Sequence, residues 1–255
     1  MIERLANPDR SPSRVVLAAL CAGLALFAPT AVQAGGLSLG WQDCRALGGA
    51  GFTGRSYGCT SSLAELPLFP ALVPDVAIDS VVAVELVIDV DVATDPLPPW
   101  WRMDPGQCRA NGWAADASFS GGCLDPWLGR GSGQVQGWLA GQPGNVARHG
   151  RLLVAAAALP GDLITFDAGV AYTLCRVLLR TNNTLTCAGC STPACLVFNS
   201  VVVQRLPGSV PETVVISGPE TAGAERVSWQ GGTGADCAAV PARRATWSAI
   251  KALYR

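Results

Sequence analysis

The stretch Ser80–Ala93, SVVAVELVIDVDVA, leaves the chain little choice of local structure. Its even positions from Val82 to Val92 are all apolar and branched. Its odd positions mix Val81, Ala83 and Val87 with Glu85, Asp89 and Asp91. A period of two sets one group of side chains into a core and the other onto a partly wet face of a strand. A helix would scatter the apolar group around its circumference. No Gly or Pro interrupts the ladder.

Similar but shorter patterns recur. Gly35–Trp41, Trp113–Phe119, Gln134–Ala140, Thr213–Ser217 and Arg226–Gln230 read as short strands. Phe166–Leu179 and Leu196–Leu206 read as long ones, with the turn residues Asn182-Asn183 between them. Arg151–Leu159 is alanine-rich, which favours helix, but its all-β surroundings favour strand. Pro67, Pro70 and Pro74 make residues 60–79 an extended connection or an edge segment, because proline removes ladder donors. The fold expected is all-β: a single antiparallel β-sandwich of about ten strands over residues 35–240, with disulfide-closed loops.

The two ends differ from this middle. Residues 1–34 have the form of a signal peptide: basic Arg4, Arg10 and Arg14, an apolar run from Val15 to Phe27, then Ala31-Val32-Gln33-Ala34 as a cleavage site. The run is short for a membrane span, so no span is expected after leader removal, and the localisation expected is secreted or cell surface. Cleavage of the 255-residue chain leaves 221 residues and takes the net charge from −1 to −2. That balance argues against a nucleic-acid partner, which wants a basic face. Over residues 241–255, Trp247, Ile250, Leu253 and Tyr254 form a helical stripe that Thr246 can cap. This short C-terminal helix either packs on the domain or acts as a terminal tag.

Ten cysteines less Cys21 in the leader leave nine. In an exported chain the default is disulfides. Cys44 and Cys59 have the same spacing as Cys108 and Cys123, and Cys44-Arg45-Ala46-Leu47-Gly48 echoes Cys108-Arg109-Ala110-Asn111-Gly112. Local bridges Cys44–Cys59 and Cys108–Cys123 are therefore expected. Cys187, Cys190, Cys195 and Cys237 supply two more, with Cys187–Cys195 and Cys190–Cys237 preferred. A zinc site and a C-x-x-C redox centre are the competing readings of that cluster. The ninth, Cys175, falls mid-strand on an uncharged face and is expected to be a free, buried thiol.

The Gly-Leu-Ser-Leu-Gly-Trp start, the Cys-Ala-Gly-Cys cluster and the Trp-Ser-Ala-Ile-Lys-Ala-Leu-Tyr-Arg end resemble a group of uncharacterised secreted proteins of environmental bacteria. The resemblance implies no activity and no catalytic residues.

Chemistry is thinly signalled. His149 is the sole histidine, in a Gly-rich turn that reads as a surface loop, and no G-x-S-x-G accompanies it. Asp89, Asp91 and Asp95 are the candidates for a calcium site of oxygen ligands, against a solvated strand face. Trp100 and Trp101, weighed together with Trp113, Trp127 and Trp138, are the candidate ligand platform, since exposed aromatic rings stack on sugars, against a place in the core. No cofactor is expected. The function expected is an exported or cell-surface, non-enzymatic protein with a structural or interaction role and a cell-surface glycan or protein as partner. A carbohydrate-binding module is the alternative.

Overall fold

The structure is a computed structural model that describes residues 35–44, 52–119 and 122–238. The leader and the helix expected over 241–255 lie outside the described residues. The rest is all-β, with thirteen strands among the described residues. The first sheet runs β1 (Gly36–Trp41), β3 (Glu65–Val73), β10 (Arg176–Arg180), β5 (Trp113–Asp116), with β9 (Tyr172–Thr173) also on β3. The second runs β2 (Gly54–Arg55), β13 (Arg226–Trp229), β11 (Ala194–Arg205), β4 (Ile78–Val92), β7 (His149–Ala157), β6 (Ser132–Ala140). There β12 (Thr213–Ser217) adds to β11 and β8 (Ile164–Phe166) to β4. Every pairing is antiparallel except the short β13–β2 contact.

The period-two stretch becomes β4, flanked by β11 and β7. Val84, Leu86, Ile88, Val90 and Val92 enter a core shared with Leu37, Leu39, Leu68 and Val177 of the first sheet. Val82 departs from the pattern. The register with β11 steps from Ala83 to Val81, and Ser80 is left-handed at φ 55°, so Val81 takes the core position. A second irregularity, at Asn199, lets Phe198 and then Val201 face the same core.

Residues 65–73 are not an edge segment. β3 lies between β1 and β10, and its prolines fall where no donor is needed. Pro70 faces the break between β9 and β10, offering only its carbonyl to Leu174 N at 3.0 Å. Pro67 stands opposite Gln42, just past the end of β1, and again only its carbonyl is used. The same break divides the strand expected over Phe166–Leu179 into β8, β9 and β10.

The bridges correct the expected pairing. Cys44 joins Cys123, Cys59 joins Cys190, Cys108 joins Cys187 and Cys195 joins Cys237. Their Cα atoms lie 5.4 to 5.9 Å apart, within disulfide reach. Neither Cys44–Cys59 nor Cys108–Cys123 forms, because the paired loops meet through the sheets and not along the chain. Cys187 and Cys190 go to different partners, so their C-x-x-C holds neither a zinc site nor a redox pair. Cys175 is a free thiol with no exposed surface. Burial, and then the charge of Asp116, push its ionisation well above the usual thiol range.

Peptide mapping of the non-reduced protein should recover these four bridges, and a Cys44–Cys59 peptide would overturn the pairing. Alkylation without reductant should label Cys175 only after denaturation. Replacing Cys108 and Cys187 by Ser should cost about 2–5 kcal/mol, read by chemical unfolding.

Candidate functional site

Burial accounts for most of the residues expected to carry function. Trp100 and Trp101 lie in the 3-10 turn Pro99–Trp101 and are fully buried, so they are no ligand platform. Trp100 stacks on Trp229 at 5.1 Å and 19°, and its Nε1 donates to Thr184 Oγ1 at 2.9 Å. On the same ring lies Arg109, 3.8 Å from the centroid, donating to the carbonyls of Trp100 and Arg180. Burial pulls the Arg109 guanidinium down to about 9, which leaves it charged at neutral pH. The contacts with Trp229, Thr184 and Arg109, all distant in sequence except Arg109, are what the Trp-Trp pair alone did not reveal.

Asp89 and Asp91 are not a solvated face and not an open calcium site. Both are fully buried. Arg151 grips Asp89 with two bonds, Nε to Oδ1 at 2.6 Å and Nη2 to Oδ2 at 2.9 Å, and Asn199 Nδ2 adds a third at 2.6 Å. Asp91 accepts from the Asp236 amide at 2.9 Å and pairs with Arg148 at 3.2 Å. His149 Nε2 lies 2.8 Å from Asp91 Oδ2. His149 is therefore a buried residue at the start of β7, not a surface-loop one, and its Nδ1 is taken by the Pro143 carbonyl at 2.9 Å. Asp95 is exposed in the turn beyond β4. The Asp43, Cys44 and Cys123 cluster offers a metal no thiolate, since its two sulfurs are bonded to each other.

The site that sequence reasoning missed is a cleft of about 570 Å³ between β5 and β6, the terminal strands of the two sheets. At one end the strands touch. A Cβ on Gly133 would lie 2.8 Å from the Ala117 amide nitrogen. From there they part, and Trp113 and Trp138 close the floor with ring centroids 6.3 Å apart. Both rings are more than nine-tenths buried, and neither indole N–H has a partner. Trp138 is held down by what its neighbour lacks: a Cβ on Gly150 of β7 would lie 2.1 Å from its ring. Asn111, Gln134 and Gln136 stand exposed at the rim. Arg180, the lining's one charge, pairs with Glu65 at 3.1 Å. Among the described residues the lining has no carboxylate, histidine, hydroxyl or thiol.

The registers also fix which main-chain groups of β5 and β6 lie outside the ladders. In an antiparallel ladder, residues whose N–H and C=O face one neighbour alternate with residues that face away. Arg180 N bonds Gly112 O at 2.9 Å, so in the β10–β5 register Trp113 and Ala115 face away from β10. Gly141 N bonds His149 O at 2.7 Å, so Trp138 and Ala140 face away from β7. Beyond the irregularity at Gln136, the β4–β7 register fixes Gly133 and Val135 the same way. Among the described residues no main-chain hydrogen bond joins β5 to β6.

Neither a family model, a curated protein nor a solved structure matches the chain. The reading of the cleft therefore rests on its geometry.

The Gly150–Trp138 contact gives a direct test of the floor. Gly150→Ala should lift the Trp138 ring, lower stability by about 1–3 kcal/mol in chemical unfolding and shift tryptophan emission to the red. A variant of unchanged stability and emission would mean the ring is not seated there.

Proposed function

We propose that the two sheets make a single β-sandwich and that the chain is an exported, non-enzymatic protein with an interaction role, holding its partner in the β5–β6 cleft. One observation carries this. The cleft pairs an apolar floor of Trp113 and Trp138 with an amide rim of Asn111, Gln134 and Gln136, while among the described residues its lining offers no carboxylate, histidine, hydroxyl or thiol for chemistry. A site so furnished binds without transforming. Four bridges linking loops far apart in sequence support an oxidising compartment. Among the described residues no helix is long and apolar enough to cross a membrane.

The carbohydrate alternative loses its platform with Trp100 and Trp101 buried. It keeps only the amide rim of Asn111, Gln134 and Gln136.

Expressed in a bacterium with its leader, the protein should be recovered outside the cytoplasm beginning at Gly35, and an intact Met1 there would overturn processing. On printed glycan and peptide arrays the mature chain should bind, while the double variant Gln134→Trp/Gln136→Trp should not. Those side chains are exposed, so bulk there fills the cleft without entering the core. Equal binding by the variant would move the site elsewhere.

A further inference from the structure

The second sheet buries side chains on both of its faces. The inner face is the core. The outer face starts with the row Cys195, Asp91 and His149, read across β11, β4 and β7. Val197, Asp89 and Arg151 form the next row, which Leu139 extends onto β6. The Val87–Leu153 pair forms the third. Apart from the half-buried Leu139, all of these are buried. One row further, Glu85 and Ala155 are only half-buried. The burial is therefore a patch at one end of the face, about 14 Å across four strands and about 13 Å along them.

A sheet face does not bury itself, and another layer must lie on it. Part of that layer is described. Ala235 and Cys237 pack on Cys195 and Val197, and the Asp236 amide donates to Asp91 at 2.9 Å. The Pro143 carbonyl and Arg148, from the turn between β6 and β7, meet His149 and Asp91. These contacts stop at the first two rows. Val87 and Leu153 are only 3% and 6% exposed. Yet among the described residues the one apolar side chain packed on that pair is Leu139, which stands on the same face. A further element covers them.

We infer that this element is residues 239–255, turned back over the outer face from Ala238. The chain reaches Ala238 on that face already, because the Cys195–Cys237 bridge fixes it at the first row. From Ala238 to Thr246 eight residues can span up to about 26 Å, more than the patch requires. The stripe Trp247, Ile250, Leu253 and Tyr254 is apolar. On a helix it covers about 11 Å, which fits within the patch. The charges of the segment are Arg243, Arg244, Lys251 and Arg255, with no acid. They are opposite in sign to Glu85 and Asp236, which border the patch. The tether at Cys237 makes docking intramolecular, so a modest apolar contact suffices. Packing on the domain uses the stripe. A terminal tag would leave the stripe in water and the Val87–Leu153 row without its cover. This face is opposite to the one Trp138 occupies, so the β5–β6 cleft plays no part in it.

The test is hydroxyl-radical footprinting of the disulfide-intact mature protein, read by mass spectrometry at Leu139 and Leu153. Both should be protected in the full chain and lose that protection when the chain is cut short after Ala238. Trp247→Asp/Ile250→Asp in the full chain should expose them in the same way. Leu86 and Leu152, on the inner face, should stay protected throughout. Footprints at Leu139 and Leu153 that are indifferent to either change would overturn the inference. Should Leu86 and Leu152 become labelled, the altered chain has unfolded, and Leu139→p-benzoylphenylalanine in the otherwise unaltered chain decides. Irradiation should join that side chain to a peptide within residues 239–255 of the same molecule. A crosslink to any other segment, a covalent dimer or no crosslink would overturn docking of the chain's own segment.

Discussion

The second sheet hangs on the ladder between β4 and β11. These are its two longest strands, fifteen and twelve residues, and they pair from Val81–Arg205 to Val92–Ala194. β7, β8, β12 and β13 attach to one or the other, so every remaining strand of that sheet takes its position from this pair. Two irregularities in the ladder matter more than its length. The one at Val82 ends the strict alternation and turns Val81 inward. The one at Asn199 releases a side chain from the pleat and sends it to Asp89, the carboxylate that Arg151 holds from the other flank. A bulge that re-aims one side chain thus completes a buried polar network.

That network and Arg109 show the same constraint met in two ways. A buried ion is costly unless its partners replace water. Asp89 meets a guanidinium in a two-bond grip, and Asp91 meets Arg148, His149 and a main-chain amide. Arg109 has two carbonyls and the face of Trp100. Carbonyl dipoles and a ring quadrupole compensate a charge less than an anion does, which is why burial depresses Arg109. Removing Asp89 alone would strand Arg151, so each of these groups fixes the arrangement of its neighbours more than it adds stability.

What was legible in the sequence was local. The β4 alternation, the Thr213–Ser217 strand and the burial of Cys175 as a free thiol are all carried by neighbours within a few residues, although Cys175 falls in the break between β9 and β10 and not mid-strand. What was not legible depends on which distant segments meet. Equal spacing of Cys44–Cys59 and Cys108–Cys123 looked like two closed loops, yet spacing carries no information about Cα separation across sheets. The β3 prolines read as edge signals because their missing donors could not be matched, in sequence, to the break between β9 and β10. Asp89 and Asp91 alternate with Val, the usual sign of a wet face. Arg148 just before β7, His149 and Arg151 on it, with Asn199 of β11 and the Asp236 amide, turn them into a buried network.

The cleft was hidden for a further reason: it consists of a pairing that does not occur. Sequence patterns mark strands, and a marked strand is assumed to find its neighbours. β5 and β6 approach closely at Gly133, where a side chain would collide with the Ala117 amide, so the end of β5 passes over the side-chain face of β6 and not along its edge. They separate where Trp113 and Trp138 stand side by side. Two indoles in the floor take up the width that a continuous ladder would need to lose, and Gly150 gives one of them the room to lie flat. The signal that pointed here was the composition of β6, SGQVQGWLA. Alternating apolar residues with amides and glycines and no charge suits a strand flanked on both sides, whereas β6 has a flank on one side only. The mismatch between a central strand's composition and an edge strand's position is the physical content of the open cleft.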